Sequence, residues 1–179
     1  MSLTLATLIA GLLLLALGGF LLVYSSAFRK ALTAFPRSRR ATFILLTSAT
    51  VLVLYEVSQL GEADFGKYKN ILFVFFLVLA IGSWFRVPDF LGIRALAVLG
   101  LLLSGQFLSA AYLEPPTTRL FLVVLSYLII GTCLYLAAVP FRFRDAVTFL
   151  NRSDGSRRFI GAMLCAYGVL LFVVTLTYP

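Results

Sequence analysis

The stretch 28–40 reads FRKALTAFPRSRR, and a close copy, FRDAVTFLNRS, occupies residues 143–153. The second copy resumes with Arg157-Arg158 after three inserted residues. The joint match indicates a duplication, although independent drift of two basic loops toward the same residue types is the alternative. Each copy follows one apolar run and precedes another, and Lys and Arg near span ends orient a membrane protein. The repeated stretch therefore predicts membrane hairpins folded around basic cytoplasmic loops.

Composition places the chain among integral membrane proteins. Hydrophobic residues make up 61% of the 179 residues, charged residues make up 12%, and the mean hydropathy is +1.04. Soluble domains carry about 25% charged residues, so this chain cannot cover its whole surface with polar groups. We expect one integral membrane domain over residues 1–179 and no soluble domain.

Six apolar runs are long enough to cross a bilayer as helices, because about 20 residues span its hydrocarbon core. They show no period of two residues, so barrel strands are not indicated. The predicted spans are Leu3 to Tyr24, Ala41 to Leu60, Ile71 to Val87, Phe90 to Leu113, Leu120 to Val139 and Phe159 to Tyr178. The first run lacks the basic segment that precedes a signal peptide, so we expect it to be a span. The predicted fold is all-α and polytopic, with three hairpins over residues 3–60, 71–113 and 120–178.

The basic residues divide unequally between two sets of loops. Twelve of the 15 follow spans one, three and five, whereas only Lys67, Lys69 and Arg119 lie in the other loops. By the positive-inside rule, the basic loops face the cytoplasm and both termini face outward, and we expect the inner membrane of a bacterium. The net charge of +8 is then a signal of topology. Nucleic-acid binding is not expected, because no soluble domain is available to carry it.

Each copy of the basic stretch also predicts a short amphipathic helix at the cytoplasmic face. In the first copy, Phe28, Leu32 and Phe35 recur on one helical face, and Pro36 ends the pattern. The second copy repeats this face with Phe143, Ala146, Val147 and Leu150. Such helices lie in the headgroup region, where basic side chains attract anionic lipid. The predicted lipid-facing residues are Arg29, Lys30, Arg37, Arg39, Arg40, Arg142, Arg144, Arg152, Arg157 and Arg158.

Side chains that carry catalysis or bind metals are scarce. The sequence has no His, two Cys and two Met, and it contains no phosphate-binding loop, nucleophile elbow or zinc motif. Cys133 and Cys165 are expected to pack as small residues rather than to act as a thiol pair. Asp89 and Asp154 lie near arginines, and loop aspartates of this kind indicate charge balance more than a headgroup-processing site. We expect no catalytic residues, no metal and no cofactor.

Glu56 is the one acidic residue within a predicted span. It lies about four residues, or roughly 6 Å, below the outer end of span two. Either it reaches the outer interface, or it is buried in the bundle and binds a proton or a cation there. Other polar side chains share this depth. The candidate polar cluster comprises Glu56, Gln59, Gln106, Ser126 and Tyr127.

The leading interpretation is a non-enzymatic scaffold or accessory subunit of a larger membrane complex. Such a protein would bind anionic lipid and partner helices, from another subunit or from a second copy, through close contacts at small residues such as Gly100 and Gly131. The alternative is a small transporter or channel that uses Glu56 and its polar neighbours. Polar residues thin out in spans one and three, which weakens that alternative. A lipid-modifying enzyme is disfavoured by the missing His and the lack of paired acids.

Overall fold

The computed structural model describes residues 1–23, 26–61, 65–86 and 90–178, and these residues are helical with short connections. The α-helices are α1 (Leu3–Val23), α2 (Ser26–Ala34), α3 (Arg39–Ser58), α4 (Lys69–Arg86), α5 (Leu91–Ala111), α6 (Leu120–Ala138), α7 (Phe141–Arg152) and α8 (Asp154–Thr175). All of them except α2 and α7 belong to segments long and apolar enough to cross a membrane. The chain is therefore a membrane protein with six candidate spans.

The helix ends agree with the predicted spans to within a few residues. The largest difference is at α8, which begins at Asp154 instead of Phe159. Ser153 caps this helix, because its side-chain oxygen accepts a hydrogen bond from the backbone N–H of Ser156. The predicted ends of spans one and three, Tyr24 and Val87, lie outside the described residues.

Helices α1 and α8 make the most extensive helix contact in the described structure, and they run antiparallel. Gly11 lies against Gly168, and Gly18 lies against Gly161. A Cβ atom added at Gly18 would lie 2.7 Å from the carbonyl oxygen of Gly161. Helices approach this closely only where side chains are small, and the paired glycines on each helix are two turns apart on one face. The first and last spans thus pack closely, backbone against backbone, at these glycines.

Most of the other contacts join spans that are connected through the less basic loops. Helix α3 packs on α4 and on α5, and α5 packs on α6. The predicted hairpin partners, α1 with α3, α4 with α5 and α6 with α8, make at most marginal contact among the described residues. The prediction of hairpins folded around the basic loops is not confirmed. Helices α2 and α7 occupy two of those loops and separate the spans that they connect.

The apolar core lies between α1, α5, α6 and α8, while α3 and α4 lie outside it. Its fully buried side chains include Phe107, Leu122 and Leu171. The buried hydroxyl groups donate to carbonyl oxygens one turn earlier in their own helices, Thr7 to Leu3, Ser104 to Gly100 and Ser126 to Leu122. Helix α4 contributes no buried residue. The described core is therefore largely apolar, and the Thr7 hydroxyl also lies 3.3 Å from the Tyr178 hydroxyl oxygen.

The two glycines expected at helix contacts have different surroundings. A Cβ atom at Gly100 would meet the thiol of Cys133 on α6, whereas one at Gly131 would meet no described atom within 4 Å. Gly131 is thus not at a helix contact, because it lies on the outward side of α6. Cys165 packs against Gly18 as Cys133 packs against Gly100, and both thiols are free. The cysteines lie in separate helix contacts.

We predict that Gly18→Leu destabilises the folded protein and that Gly19→Leu does not. The larger side chain at residue 18 overlaps α8, and overpacking of this kind costs about 1–3 kcal/mol or more. A Cβ atom at Gly19 meets nothing within 4 Å, and leucine favours a helix over glycine by up to about 1 kcal/mol. Thermal unfolding of both variants in one detergent measures the difference. Equal unfolding temperatures would contradict the close α1–α8 contact.

Candidate functional site

The basic loops meet at one end of the bundle, which we call the basic face. The ring of Phe35, from the first copy of the basic stretch, lies 5.6 Å from the ring of Phe143, from the second copy. Phe43 near the start of α3 and Trp84 near the end of α4 form an edge-to-face pair at 5.9 Å. These contacts place the connections that follow α1 and α6 side by side, and they join the start of α3 to the end of α4.

Helices α2 and α7 are each attached to the bundle by apolar side chains. Phe28 of α2 stacks on Phe20 of α1 at 5.4 Å, and Val147 of α7 is buried. The basic residues Arg29 and Lys30 are exposed. Phe28 and Phe143 occupy equivalent positions in the repeated stretch, yet they contact different partners. The two copies therefore do not make equivalent contacts.

A cleft of about 650 Å³ opens between the loops at the basic face. Three arginines, Arg37, Arg39 and Arg144, line it, and we call it the arginine cleft. Its other walls are Pro36, Thr42, Trp84, Phe90 and Leu91. Phe90 has a φ of 57°, in the left-handed region that bulky residues rarely adopt. The cleft thus combines cationic and apolar groups from segments that are distant in sequence.

The start of α3 positions the arginine cleft. Ser38 caps this helix by accepting a hydrogen bond from the backbone N–H of Ala41, so Arg39 lies in the first turn. The Thr42 hydroxyl donates to the carbonyl oxygen of Ser38. A Cβ atom at Gly92 would lie 2.8 Å from the Thr42 hydroxyl oxygen, so the starts of α3 and α5 are in direct contact. The N-termini of two long helices, which carry partial positive charge, therefore adjoin the cleft.

Among the described residues, the arginines of the cleft have few acidic partners. No acidic side chain among the described residues pairs with Arg37 or Arg39. Arg144 lies 3.8 Å from Asp145, but both side chains are largely exposed, and such pairs contribute little. The Nε atom of Arg94 is buried without a partner in the described structure, and it lies one turn beyond the cleft residues of α5. The arrangement favours binding of an anion.

Arg157 differs from the other predicted lipid-facing residues. It is only 9% exposed, and its Nε atom donates to the Leu21 carbonyl oxygen in the last turn of α1. Its guanidinium also lies 2.6 Å from a carboxylate oxygen of Asp154. In the described structure Arg157 therefore binds groups of the protein, a main-chain carbonyl of α1 and a carboxylate of α8. Asp154 balances that charge, and Asp89 lies outside the described residues.

The remaining basic residues of the predicted set are exposed and lie outside the arginine cleft. They are Arg29, Lys30, Arg40, Arg142, Arg152 and Arg158. The sequence thus names the three arginines of the cleft, but it does not separate them from these six. Arg39 and Arg40 are a local indication of an anion site in the sequence, because cations are disfavoured in the first turn of a helix unless an anion is near.

The structure brings together two members of the candidate polar cluster. The side-chain amide of Gln106 on α5 donates to a carboxylate oxygen of Glu56 on α3, at 2.9 Å. Both side chains are exposed on the bundle. Ser126 is buried and bonded within α6, whereas Tyr127 is 63% exposed and Gln59 follows the end of α3. No side-chain hydrogen bond in the described structure links these three to the Glu56–Gln106 pair.

The chain matches no protein-family model, no curated protein and no solved structure. No function is therefore transferred from a relative. The arginine cleft and the Glu56–Gln106 pair are the two arrangements on which a functional argument can rest.

Proposed function

We propose that this protein is a non-enzymatic membrane scaffold or accessory subunit that binds anionic lipid at its basic face and a partner helix along α4. The arginine cleft is the observation that carries this proposal. It gathers three arginines, with no strong acidic partner among the described residues, at the end of a bundle whose spans are long enough to cross a bilayer. Arginine is well suited to this task, because its planar guanidinium can donate two hydrogen bonds to one phosphate.

The short helices α2 and α7 support the lipid part of the proposal. Their apolar residues Phe28 and Val147 turn toward the protein, and Arg29, Lys30 and Arg144 are exposed. In our proposal both helices lie in the cytoplasmic headgroup region, where each basic residue near an anionic surface contributes about 1 kcal/mol. The excess of basic residues on this face gives the orientation, with both termini outside.

Helix α4 supports the partner part of the proposal. It is a candidate span without a buried residue, and α3 is the one span with which it makes extensive contact in the described structure. Gly82 on α4 meets no described atom within 4 Å of an added Cβ, so another helix could approach its backbone closely there. The partner in our proposal is a helix of another subunit or of a second copy of this chain.

The lipid proposal predicts that charges in the cleft contribute more to the affinity for anionic lipid than an equal number of charges outside it. We expect the triple substitution of Arg37, Arg39 and Arg144 by Gln to lower the affinity for phosphatidylglycerol at least tenfold more than the same substitution of Arg29, Lys30 and Arg158. A tenfold change corresponds to about 1.4 kcal/mol, less than one hydrogen bond between charged groups contributes. Mass spectrometry of the purified variants, with the lipid titrated in, provides the measurement. Equal losses in the two variants would indicate a diffuse surface attraction and would contradict the proposal.

The alternative function, a small transporter or channel, rests on the Glu56–Gln106 hydrogen bond. This pair joins two spans near the outer end of α3. However, both side chains are exposed, and the hydroxyl groups buried in the core bond to their own helices. A transport path needs polar groups at several depths on several helices. The described interior offers no continuation from this pair.

We therefore predict that Glu56→Gln leaves the protein folded and its lipid binding unchanged. The amide oxygen can still accept a hydrogen bond from Gln106, and the position is exposed, so the stability change should stay below about 1 kcal/mol. Ion flux should be absent from vesicles reconstituted with either the wild type or the variant. Wild-type flux that disappears in Glu56→Gln would establish the transporter instead.

A further inference from the structure

An apolar groove of about 390 Å³ runs between α3 and α4 and adjoins the arginine cleft. Its walls include Leu46 and Val51 on α3 and Ala80 and Ile81 on α4. Trp84 lines both the groove and the cleft. Along α3, the last residue of the cleft, Thr42, and the first residue of the groove, Phe43, are consecutive, so the two cavities adjoin.

The length of the groove matches the depth of one leaflet. Its residues on α3 extend from Phe43 to Leu54, which is about 16 Å at 1.5 Å per residue. One leaflet of a bilayer has a hydrocarbon depth of about 15 Å. The groove therefore has the length over which an acyl chain extends within one leaflet.

We propose that the arginine cleft and the apolar groove together hold one anionic glycerophospholipid. Its phosphate lies among Arg37, Arg39 and Arg144, and one acyl chain lies between α3 and α4. Trp84 stands at the junction, the position that amphipathic aromatic rings take at membrane interfaces. This inference rests on the proposed function, because it takes the anion of the cleft to be a lipid headgroup.

The groove distinguishes a bound lipid from a free phosphate or a loosely attracted headgroup. Cationic side chains alone would hold any small anion, but the apolar walls continue from the cleft for the depth of a leaflet. Phe43, Val51 and Ile81 are more than half exposed in the bundle, so the groove opens toward the surrounding lipid. An acyl chain can therefore enter the groove laterally while the headgroup of the same lipid reaches the arginines of the cleft.

The test compares two tryptophan substitutions on α4. Ala80→Trp places a large ring in the groove, whereas Leu79→Trp places the same ring on the opposite side of α4, where Leu79 is exposed and does not line the groove. Each variant is purified, checked for folding by thermal unfolding, and titrated with phosphatidylglycerol, using mass spectrometry to count bound lipid. Glycerol 3-phosphate is added as a competitor that carries the headgroup phosphate without chains.

We expect Ala80→Trp to weaken phosphatidylglycerol binding at least tenfold, Leu79→Trp to leave it unchanged, and glycerol 3-phosphate not to displace the lipid. If Ala80→Trp binds normally, or if glycerol 3-phosphate competes as well as the lipid, the cleft holds a headgroup alone and the single-lipid site is refuted. That result leaves the proposed function standing. If the arginine cleft variant also binds lipid as its charge-matched control does, the proposed function fails together with this inference.

Discussion

The close contact between α1 and α8 is the constraint on which the arrangement of the other elements depends. The paired glycines remove the side chains that would keep these helices apart, and van der Waals packing then joins the first and last spans over much of their length. Arg157 strengthens the join, because it binds the Leu21 carbonyl near the end of α1. As a result α2, which follows α1, and α7, which precedes α8, lie next to each other. The ring of Phe35 then packs against the ring of Phe143. The arginine cleft forms where these elements converge.

Helices α3 and α4 lie outside the core. Among the described residues, α3 packs against the core mainly through α5, and α4 is attached mainly through α3. The groove between α3 and α4 is therefore open at the surface of the bundle, and it adjoins the cleft at Trp84. The core between α1, α5, α6 and α8 is apolar and tightly packed. This division between a closed interior and an open periphery favours binding at the surface over passage through the centre.

Much of the secondary structure could be predicted from the sequence, because it depends on local patterns. Run length predicts the six spans, and six helices of suitable length and composition are present. The amphipathic character of the loop helices stays a prediction. The pairing of the spans could not be predicted in the same way. In the sequence, Gly18 and Gly161 indicate close helix contacts, but a glycine does not indicate which helix packs against it. The predicted hairpins take the neighbour of each span from chain order, and the structure does not confirm them.

The candidate site was predicted in part for a similar reason. Charge counting identifies basic residues at one face, yet only packing separates Arg144 in the cleft from Arg157, which is buried against α1. The hydrogen bond between Glu56 and Gln106 depends on α3 packing against α5, which shared depth in the membrane does not establish. Trp84 is recognisable from sequence as an interfacial residue, but its place at the junction of cleft and groove is a property of the fold.

Disulfide cross-linking tests the α1–α8 contact most directly. A Cβ atom at Gly18 would lie 2.5 Å from the native Cys165 sulfur, whereas one at Gly19 meets nothing within 4 Å. In a Cys133→Ser background, mild oxidation in membranes should form an intramolecular disulfide in the Gly18→Cys protein and not in the Gly19→Cys protein. Absence of the cross-link in Gly18→Cys, or equal cross-linking of both variants, would contradict the pairing of the first and last spans.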